Sequence, residues 1–140
     1  MAYPQICILG AGNMGNSLIV GLIAHGHPAN SIWVTDPNSE KLASLQQQFN
    51  IHVSANNTQA VSEANVIVLA VKPQILQTVA KEISSKLTHK PLIISIAAGI
   101  RIASIAKWLG EEHAIVRAMP NTPALIRCGA TGLFANSSVT

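Results

Sequence analysis

The sequence GAGNMG at residues 10–15 carries glycines at its first, third and sixth positions. In a turn that leads from a strand into a helix, each glycine of this pattern has its own task. Gly10 allows the tight turn, Gly12 lets a pyrophosphate approach the backbone, and Gly15 lets the helix pack closely on the strand. The first amides of the helix then point at the anion. The spacing alone is weak evidence, so its weight depends on the elements around it.

Short apolar runs without alternation recur along the chain, and such runs are typical of strands buried on both faces of a parallel sheet. Between them, apolar residues repeat at helical spacing. We therefore predict an α/β fold with a doubly wound, mostly parallel sheet of the Rossmann type, formed by residues 1–140 as one dinucleotide-binding domain. The predicted strands are Ile6–Leu9, Ile32–Thr35, a weak Ile51–Val53, Val66–Val71, Leu92–Ile96, Ala114–Ala118 and a late Ala130–Ala135. The predicted helix faces are Met14, Leu18 and Leu22; Leu42, Leu45 and Phe49; Ile75, Val79, Ile83 and Leu87; and Ile102, Ile105 and Leu109.

Prolines, a glycine and an asparagine indicate where the helices begin and end. Pro37 and Pro73 stand where helices are expected to begin, and Gly110 stands where one is expected to end. Asn56 with Gln59 resembles a capping box. The glycine motif thus follows a strand and opens a helix within a strand–helix–strand unit, and in that context it predicts dinucleotide binding.

Asp36 stands at the end of the second predicted strand, about 20 residues beyond the last glycine, where such domains read the ribose. Its carboxylate is suited to accept hydrogen bonds from the ribose hydroxyls of NAD. Asp followed by Pro37 is equally an ordinary helix cap and first helical residue. Asn38, Ser39 and Lys41 come next, and these residue types are suited to a 2′-phosphate. The residues therefore leave the choice between NADH and NADPH open.

Residues that follow each strand are the other candidates, because ligands of open α/β sheets lie beyond the carboxyl ends of the strands. Lys72 supplies a cation near the cofactor phosphates or the nicotinamide ribose, or is a solvated lysine at a helix start. The small residues after the fifth strand let a nicotinamide ring lie flat on the backbone, or simply form a tight turn. The candidates are Asn57 after the third strand, Ala70, Val71, Lys72 and Pro73 after the fourth, and Ala97, Ala98 and Gly99 after the fifth.

The stretch RAMPNTPALIRCGATG follows the sixth strand and breaks the strand–helix pattern. Pro120 and Pro123 prevent helix formation and hold the polar groups of Asn121 and Thr122 toward the cleft. Together with Met119 they form a candidate loop that orients a nicotinamide amide and its substrate. The alternative is a purely structural turn.

Composition excludes several classes of function. The nine Lys and Arg residues are scattered, so a net charge of +3 is not the footprint of a nucleic-acid-binding protein. No apolar stretch approaches the roughly 20 residues of a membrane span. We expect a cytoplasmic protein with no nucleic-acid partner, no membrane contact and no metal site. Cys7 and Cys128 lie far apart in the sequence and are expected to be free thiols.

Four motifs, GAGNMG, AVKP at residues 70–73, SIAAGI at 95–100 and RAMPNTPA at 117–124, resemble in order and spacing the pyrroline-5-carboxylate reductases of proline biosynthesis. The resemblance implies reduction of L-1-pyrroline-5-carboxylate to L-proline by hydride from NADPH or NADH. Carried over by residue, the cofactor would contact Leu9, Gly10, Ala11, Gly12, Asn13, Met14, Asp36, Asn57, Ala70 to Pro73, and Ala97 to Gly99.

Two departures from that family matter. An Asp at position 36 would repel a 2′-phosphate, and the helical second half, which forms the homo-oligomer and binds the substrate in relatives, is absent. The chain is therefore expected to be the N-terminal cofactor domain of a longer enzyme and inactive alone. A protonated cyclic imine is already electrophilic, so the enzyme mainly has to align the imine carbon with the nicotinamide. The sequence does not identify a catalytic residue.

Two alternatives remain open at this point. One is another reductase of the same fold, of the β-hydroxyacid or F420-type groups. These reductases share the NMG glycine loop, but membership in them would not account for the RAMPNTPA motif. The other is a non-catalytic nucleotide-sensing module.

Overall fold

The computed structural model describes residues 3–97, 99–110 and 113–118, and the backbone of 133–135. Within these residues, one sheet has the order β3-β2-β1-β4-β5-β6-β7. The first six strands pair in parallel and β7 pairs antiparallel with β6. The strands are β1 (Ile6–Leu9), β2 (Ile32–Thr35), β3 (His52–Ser54), β4 (Val66–Leu69), β5 (Leu92–Ser95), β6 (Ile115–Ala118) and β7 (Leu133–Ala135). The helices are α1 (Asn13–Ala24), α2 (Ser39–Phe49), α3 (Asn57–Val61), α4 (Pro73–Ile83) and α5 (Ile102–Leu109).

This topology confirms the predicted α/β fold with a doubly wound, mostly parallel sheet. The chain runs outward from β1 to β3, crosses back to β4 on the other side of β1, and runs outward again to β6. The strand order therefore reverses between β1 and β4, and in open sheets of this kind the crevice at the reversal is where ligands bind.

The core lies on both faces of the sheet. On one face, Cys7 and Leu9 of β1 pack with buried residues of α3, α4 and α5. On the other face, Ile6 and Ile8 pack with buried residues of α1 and α2. Successive residues of β1 thus enter opposite layers, which is why the strand is continuously apolar.

The predicted face of α1 packs against the core through Leu18 and Leu22 but is not the most buried stripe of the helix. Gly15, Ile19 and Gly21 are its buried residues, whereas Leu18 and Leu22 are only partly buried. Gly15 lets the helix backbone approach β1 closely, so the buried stripe combines two glycines with Ile19, and Leu18 and Leu22 flank it.

Around α4, three of the four residues predicted to face the core, Val79, Ile83 and Leu87, are buried, and Ile75 is the exception. Leu76, Val79, Ala80 and Ile83 are buried, and Ile75 is 46% exposed. A four-residue repeat that begins at Ile75 drifts around the helix, because the helix has 3.6 residues per turn, and it meets the core only from Val79 onward. The two other predicted faces hold, with Leu42, Leu45, Ile105 and Leu109 buried.

Helix ends agree with the prediction at two sites and differ at a third. Pro73 begins α4, and Gly110 ends α5 with a φ of 81°. At α2, however, Asn38 is the cap and the helix begins at Ser39 rather than Pro37. The strands agree to within two residues of the prediction at every boundary within the described residues, and residues 130–132 of the last predicted strand lie outside them.

Candidate functional site

Three loops meet at the carboxyl edge of the sheet. Leu9, at the end of β1, is level with Thr35 of β2 and Leu69 of β4. The Gly10 amide donates to the Thr35 carbonyl at 2.8 Å, and the Ala70 amide donates to the Leu9 carbonyl at 2.9 Å. The residues that follow β1, β2 and β4 therefore begin side by side at the reversal of strand order.

The glycines of the motif are required for different reasons. Gly10 has a φ of +110°, and a Cβ there would lie 2.8 Å from the Ala70 carbonyl oxygen. A Cβ at Gly15 would overlap the carbonyl oxygen of Gly10. Gly12 has an ordinary φ of −78°, and a Cβ there would meet no atom within 4 Å. Packing thus explains Gly10 and Gly15, whereas Gly12 faces open space.

The N-terminus of α1 borders that open space without a side-chain cap. Gly12 is its N-cap, and the first turn of α1 contains no acidic residue. By contrast, Asn38 accepts from the first amides of α2, and Asn56 accepts from the Gln59 amide in α3. The start of α1 therefore presents backbone donors that its own side chains leave available to an anion.

Asp36 ties the loop after β2 to the glycine loop. Its Oδ2 accepts from the Ala11 amide at 2.9 Å, and its Oδ1 accepts from the Asn38 amide at 2.8 Å. The interpretation of Asp36 as the cap of α2 is wrong, because the Asn38 side chain accepts from Glu40 and Lys41. The Asp36 carboxylate therefore lies at the rim of the cleft. Asn38 Oδ1 already accepts from two amides of α2.

A cleft of about 530 Å³ extends from the glycine loop to α4. A neighbouring polar hollow of about 410 Å³ lies on the other side of Gly12 and includes Asn13. Eight predicted site residues line the cleft: Gly10, Ala11, Gly12, Asp36, Asn57, Ala70, Val71 and Lys72. Lys41, whose residue type suits a 2′-phosphate, also lines the cleft. Seven further lining residues were not predicted as site residues: Thr35, Pro37, Ala55, Ile75, Thr78, Val79 and Glu82. Of the other predicted residues, Leu9, Met14, Gly15, Pro73, Ala97 and Gly99 do not line it, and Ala98, Met119, Pro120, Asn121, Thr122 and Pro123 lie outside the described residues.

Asn57 links β2 to α4 through a chain of hydrogen bonds. The hydroxyl of Thr35, which is 1% exposed, donates to Asn57 Oδ1, and Asn57 Nδ2 donates to Glu82 Oε1 at 2.7 Å. A carboxylate only accepts, so the amide must turn Nδ2 toward Glu82. The amide orientation is therefore fixed, and the Glu82 carboxylate is anchored at the wall of the cleft.

The described part of the turn after β5 contains Ala97 and Gly99. Ala97 is buried, and its amide donates to the Ser95 hydroxyl at 3.4 Å. Gly99 has a φ of +77°, a conformation that favours glycine.

In the part of the chain that the structure describes, the other polar groups do not suggest a second site. Burial raises the pKa of the Cys7 thiol to about 12, so this thiol stays protonated and unreactive near neutral pH. His27 and His113 are buried. Among the described residues, no group of three or more His, Cys, Asp or Glu side chains is placed to hold a metal ion, and no helix is long and apolar enough to cross a membrane.

The fold is that of a Rossmann-type dinucleotide-binding domain, and a family model described as NADP oxidoreductase, coenzyme F420-dependent, matches residues 5–99. The chain therefore belongs to that family of oxidoreductases. Within it, the resemblance to pyrroline-5-carboxylate reductases predicted from the four motifs is confirmed.

The enzyme of that name from Pseudomonas aeruginosa is 49% identical over 99% of this chain and 51% of its own length. A solved pyrroline-5-carboxylate reductase from Coxiella burnetii is 44% identical, with a TM-score of 0.93, over 99% of this chain and 52% of that one. A Plasmodium falciparum pyrroline carboxylate reductase with NADP bound is 26% identical, with a TM-score of 0.83, over 100% of this chain and 51% of that one. The chain thus spans about half the length of the relatives it matches.

Proposed function

We propose that this chain is the NAD(P)H-binding part of a pyrroline-5-carboxylate reductase. The observation that carries the proposal is the space at Gly12, which packing does not require and which the uncapped N-terminus of α1 borders. A pyrophosphate is the anion whose size and charge suit that position. The Plasmodium falciparum relative, which has NADP bound, supports the same class of ligand.

The remaining cleft residues extend this assignment toward both ends of the dinucleotide. Asp36 would take the adenosine ribose from the end of β2, and Asn57 would stand beside it. Lys72, at the start of α4, supplies a cation on the pyrophosphate side. The turn of Ala97 and Gly99 at the end of β5 would support the nicotinamide ring, with Asn121 and Thr122 on the substrate side.

Reduction of L-1-pyrroline-5-carboxylate to L-proline is the activity we propose for the longer enzyme. The bound cofactor supplies the hydride, and the residues of this chain hold its reactive carbon in line with the imine carbon of the substrate. Substrate binding and the contacts of a homo-oligomer would come from the length that the relatives have beyond this match. No residue of this chain is proposed as a catalytic acid or base.

A reductase of the F420-dependent type is the second candidate, because the matching family model carries that description. That model ends at residue 99, whereas the relatives named pyrroline-5-carboxylate reductase match through RAMPNTPA at residues 117–124. The longer match favours imine reduction.

Two measurements test the proposal. Calorimetric titration of the 140-residue chain with NADH and NADPH should show binding of at least one of them. Pyrroline-5-carboxylate-dependent oxidation of NAD(P)H should be negligible for this chain and substantial for a form as long as the relatives. A long form that oxidises NAD(P)H with another substrate, and not with this imine, would contradict the proposed activity.

A further inference from the structure

The wall of the cleft beyond Asp36 has features that the pyrophosphate and ribose assignments do not use. It is formed by Ala55 and Asn57 on one side and by Ile75, Thr78 and Glu82 of α4 on the other. Ile75 is among the few large apolar side chains exposed in the described structure. An exposed isoleucine beside a polar edge suits a flat heteroaromatic ring, which has apolar faces and a hydrogen-bonding rim.

The order of the ligand along the cleft places the purine base at this wall. If the pyrophosphate lies at Gly12 and the ribose at Asp36, the base must continue away from the glycine loop. In that direction the cleft is bounded by the loop after β3 and by the outer face of α4. This inference therefore rests on the proposed cofactor binding.

The polar rim of the wall has a defined pattern of donors and acceptors. Asn57 Oδ1 is occupied by the Thr35 hydroxyl, and one N–H of Asn57 is occupied by Glu82 Oε1. What remains for a ligand is the second N–H of Asn57, one lone pair of its Oδ1 and the other lone pairs of the Glu82 carboxylate. The rim thus offers one donor beside a negatively charged acceptor.

We propose that Glu82, anchored by Asn57, selects a 6-aminopurine by accepting from its exocyclic amino group. Adenine carries that amino group beside a ring nitrogen acceptor, which is the complement of the rim. On the edge that carries N7, hypoxanthine has an oxygen in place of the amino group, so that two acceptors would face each other across the cleft, and its N1–H lies on the other side of that oxygen. A site binds an analogue more weakly when its hydrogen-bond acceptor is left facing another acceptor instead of a donor.

The test compares NADH with its hypoxanthine analogue, nicotinamide hypoxanthine dinucleotide in the reduced form. The two differ only at the base, so pyrophosphate, ribose and nicotinamide contacts cancel in the ratio of their dissociation constants. Isothermal titration calorimetry on the 140-residue chain should give about five- to tenfold weaker binding of the analogue, because a partly solvated charged acceptor discriminates less than a buried one.

Glu82→Gln is the informative variant, and Glu63→Gln is its matched control. A glutamine at position 82 has an N–H that can face the hypoxanthine oxygen. The dissociation constants of the two dinucleotides should therefore differ by no more than about twofold in this variant. Glu63 is exposed, and it lies beside Gln5, which precedes β1, away from the cleft edge. Its replacement removes the same charge and should leave the ratio unchanged.

Each result bears on the inference separately from the proposed function. Equal binding of both dinucleotides by the unmodified chain, or a ratio unaffected by Glu82→Gln, would overturn the base selection while leaving cofactor binding intact. A ratio altered equally by Glu63→Gln would show a general charge effect and would also overturn it. If neither dinucleotide binds, this inference fails, and titration with NADPH then decides whether the proposed cofactor binding fails as well.

Discussion

Replacement of Gly12 by valine should separate binding from folding. A Cβ at Gly12 meets no atom within 4 Å, and the φ of −78° with ψ of −169° is extended backbone that valine readily adopts. Valine is a poorer N-cap than glycine, although neither has a side-chain acceptor, and this difference costs up to about 1 kcal/mol. The free energy of unfolding should change by less than about 1 kcal/mol, which corresponds to a Tm shift of at most about 4 °C.

The effect on binding should be much larger. The valine side chain would occupy the space assigned to the pyrophosphate and separate it from the first amides of α1. Hydrogen bonds to a charged group contribute about 1.5–3 kcal/mol each, so the loss of two of them would cost at least about 3 kcal/mol. That cost is more than about a hundredfold in Kd.

Calorimetry with NADH and thermal unfolding followed by circular dichroism measure the two effects on the same sample. Gly15→Ala is the matched comparison, because a Cβ there overlaps the Gly10 carbonyl oxygen and should destabilise the fold by about 1–3 kcal/mol. If Gly12→Val binds NADH with unaltered affinity, the pyrophosphate does not lie at Gly12, and the reasoning about this loop is refuted.

Two further predictions concern Asp36 and Cys7. If Asp36 binds the ribose, NADH should bind at least as tightly as NADPH, and Asp36→Ser should shift the ratio of the two dissociation constants toward NADPH. A strong NADPH preference in the unmodified chain would contradict the ribose role. The role of Asp36 would then be limited to its contacts with the Ala11 and Asn38 amides. Burial raises the pKa of Cys7 from 9.0 to about 12, so the unfolded thiol ionises first, and the stability due to the protonated thiol is fully present below pH 9 and is lost as the pH rises toward 12. The free energies of unfolding of the unmodified chain and of Cys7→Ala should therefore converge across that pH range. Parallel pH profiles of the two would contradict the raised pKa of Cys7.

The position of the site was predictable because it depends on local patterns. The apolar runs of β1 and β2 have the predicted bounds, and the glycine spacing places the motif between β1 and α1. Position after a strand was enough to predict Asp36, Asn57 and Lys72 as residues of the cleft.

The far wall of the cleft was not predictable in the same way. Thr35 was assigned to a strand, and Glu82 has no motif around it; they come together only because α4 crosses beside Asn57. Ile75 matched the helical period of a core face, and periodicity does not distinguish the core from the edge of a cleft. Those positions depend on how α4 is rotated against the sheet, which packing decides.

The central place of β1 has a consequence for the order of folding. Pairing of Ile6 with Ile32 closes a loop of about 26 residues, whereas pairing of Ile6 with Val66 closes one of about 60. The longer closure costs about 0.7 kcal/mol more in chain entropy, and parallel pairing has no short hairpin route. A growing chain can therefore join β1 to β2 while the other side of β1 is still open, and that side is covered only after synthesis has passed Leu69. During that interval an unpaired strand edge, a hazard for self-association, lies directly beside the glycine loop.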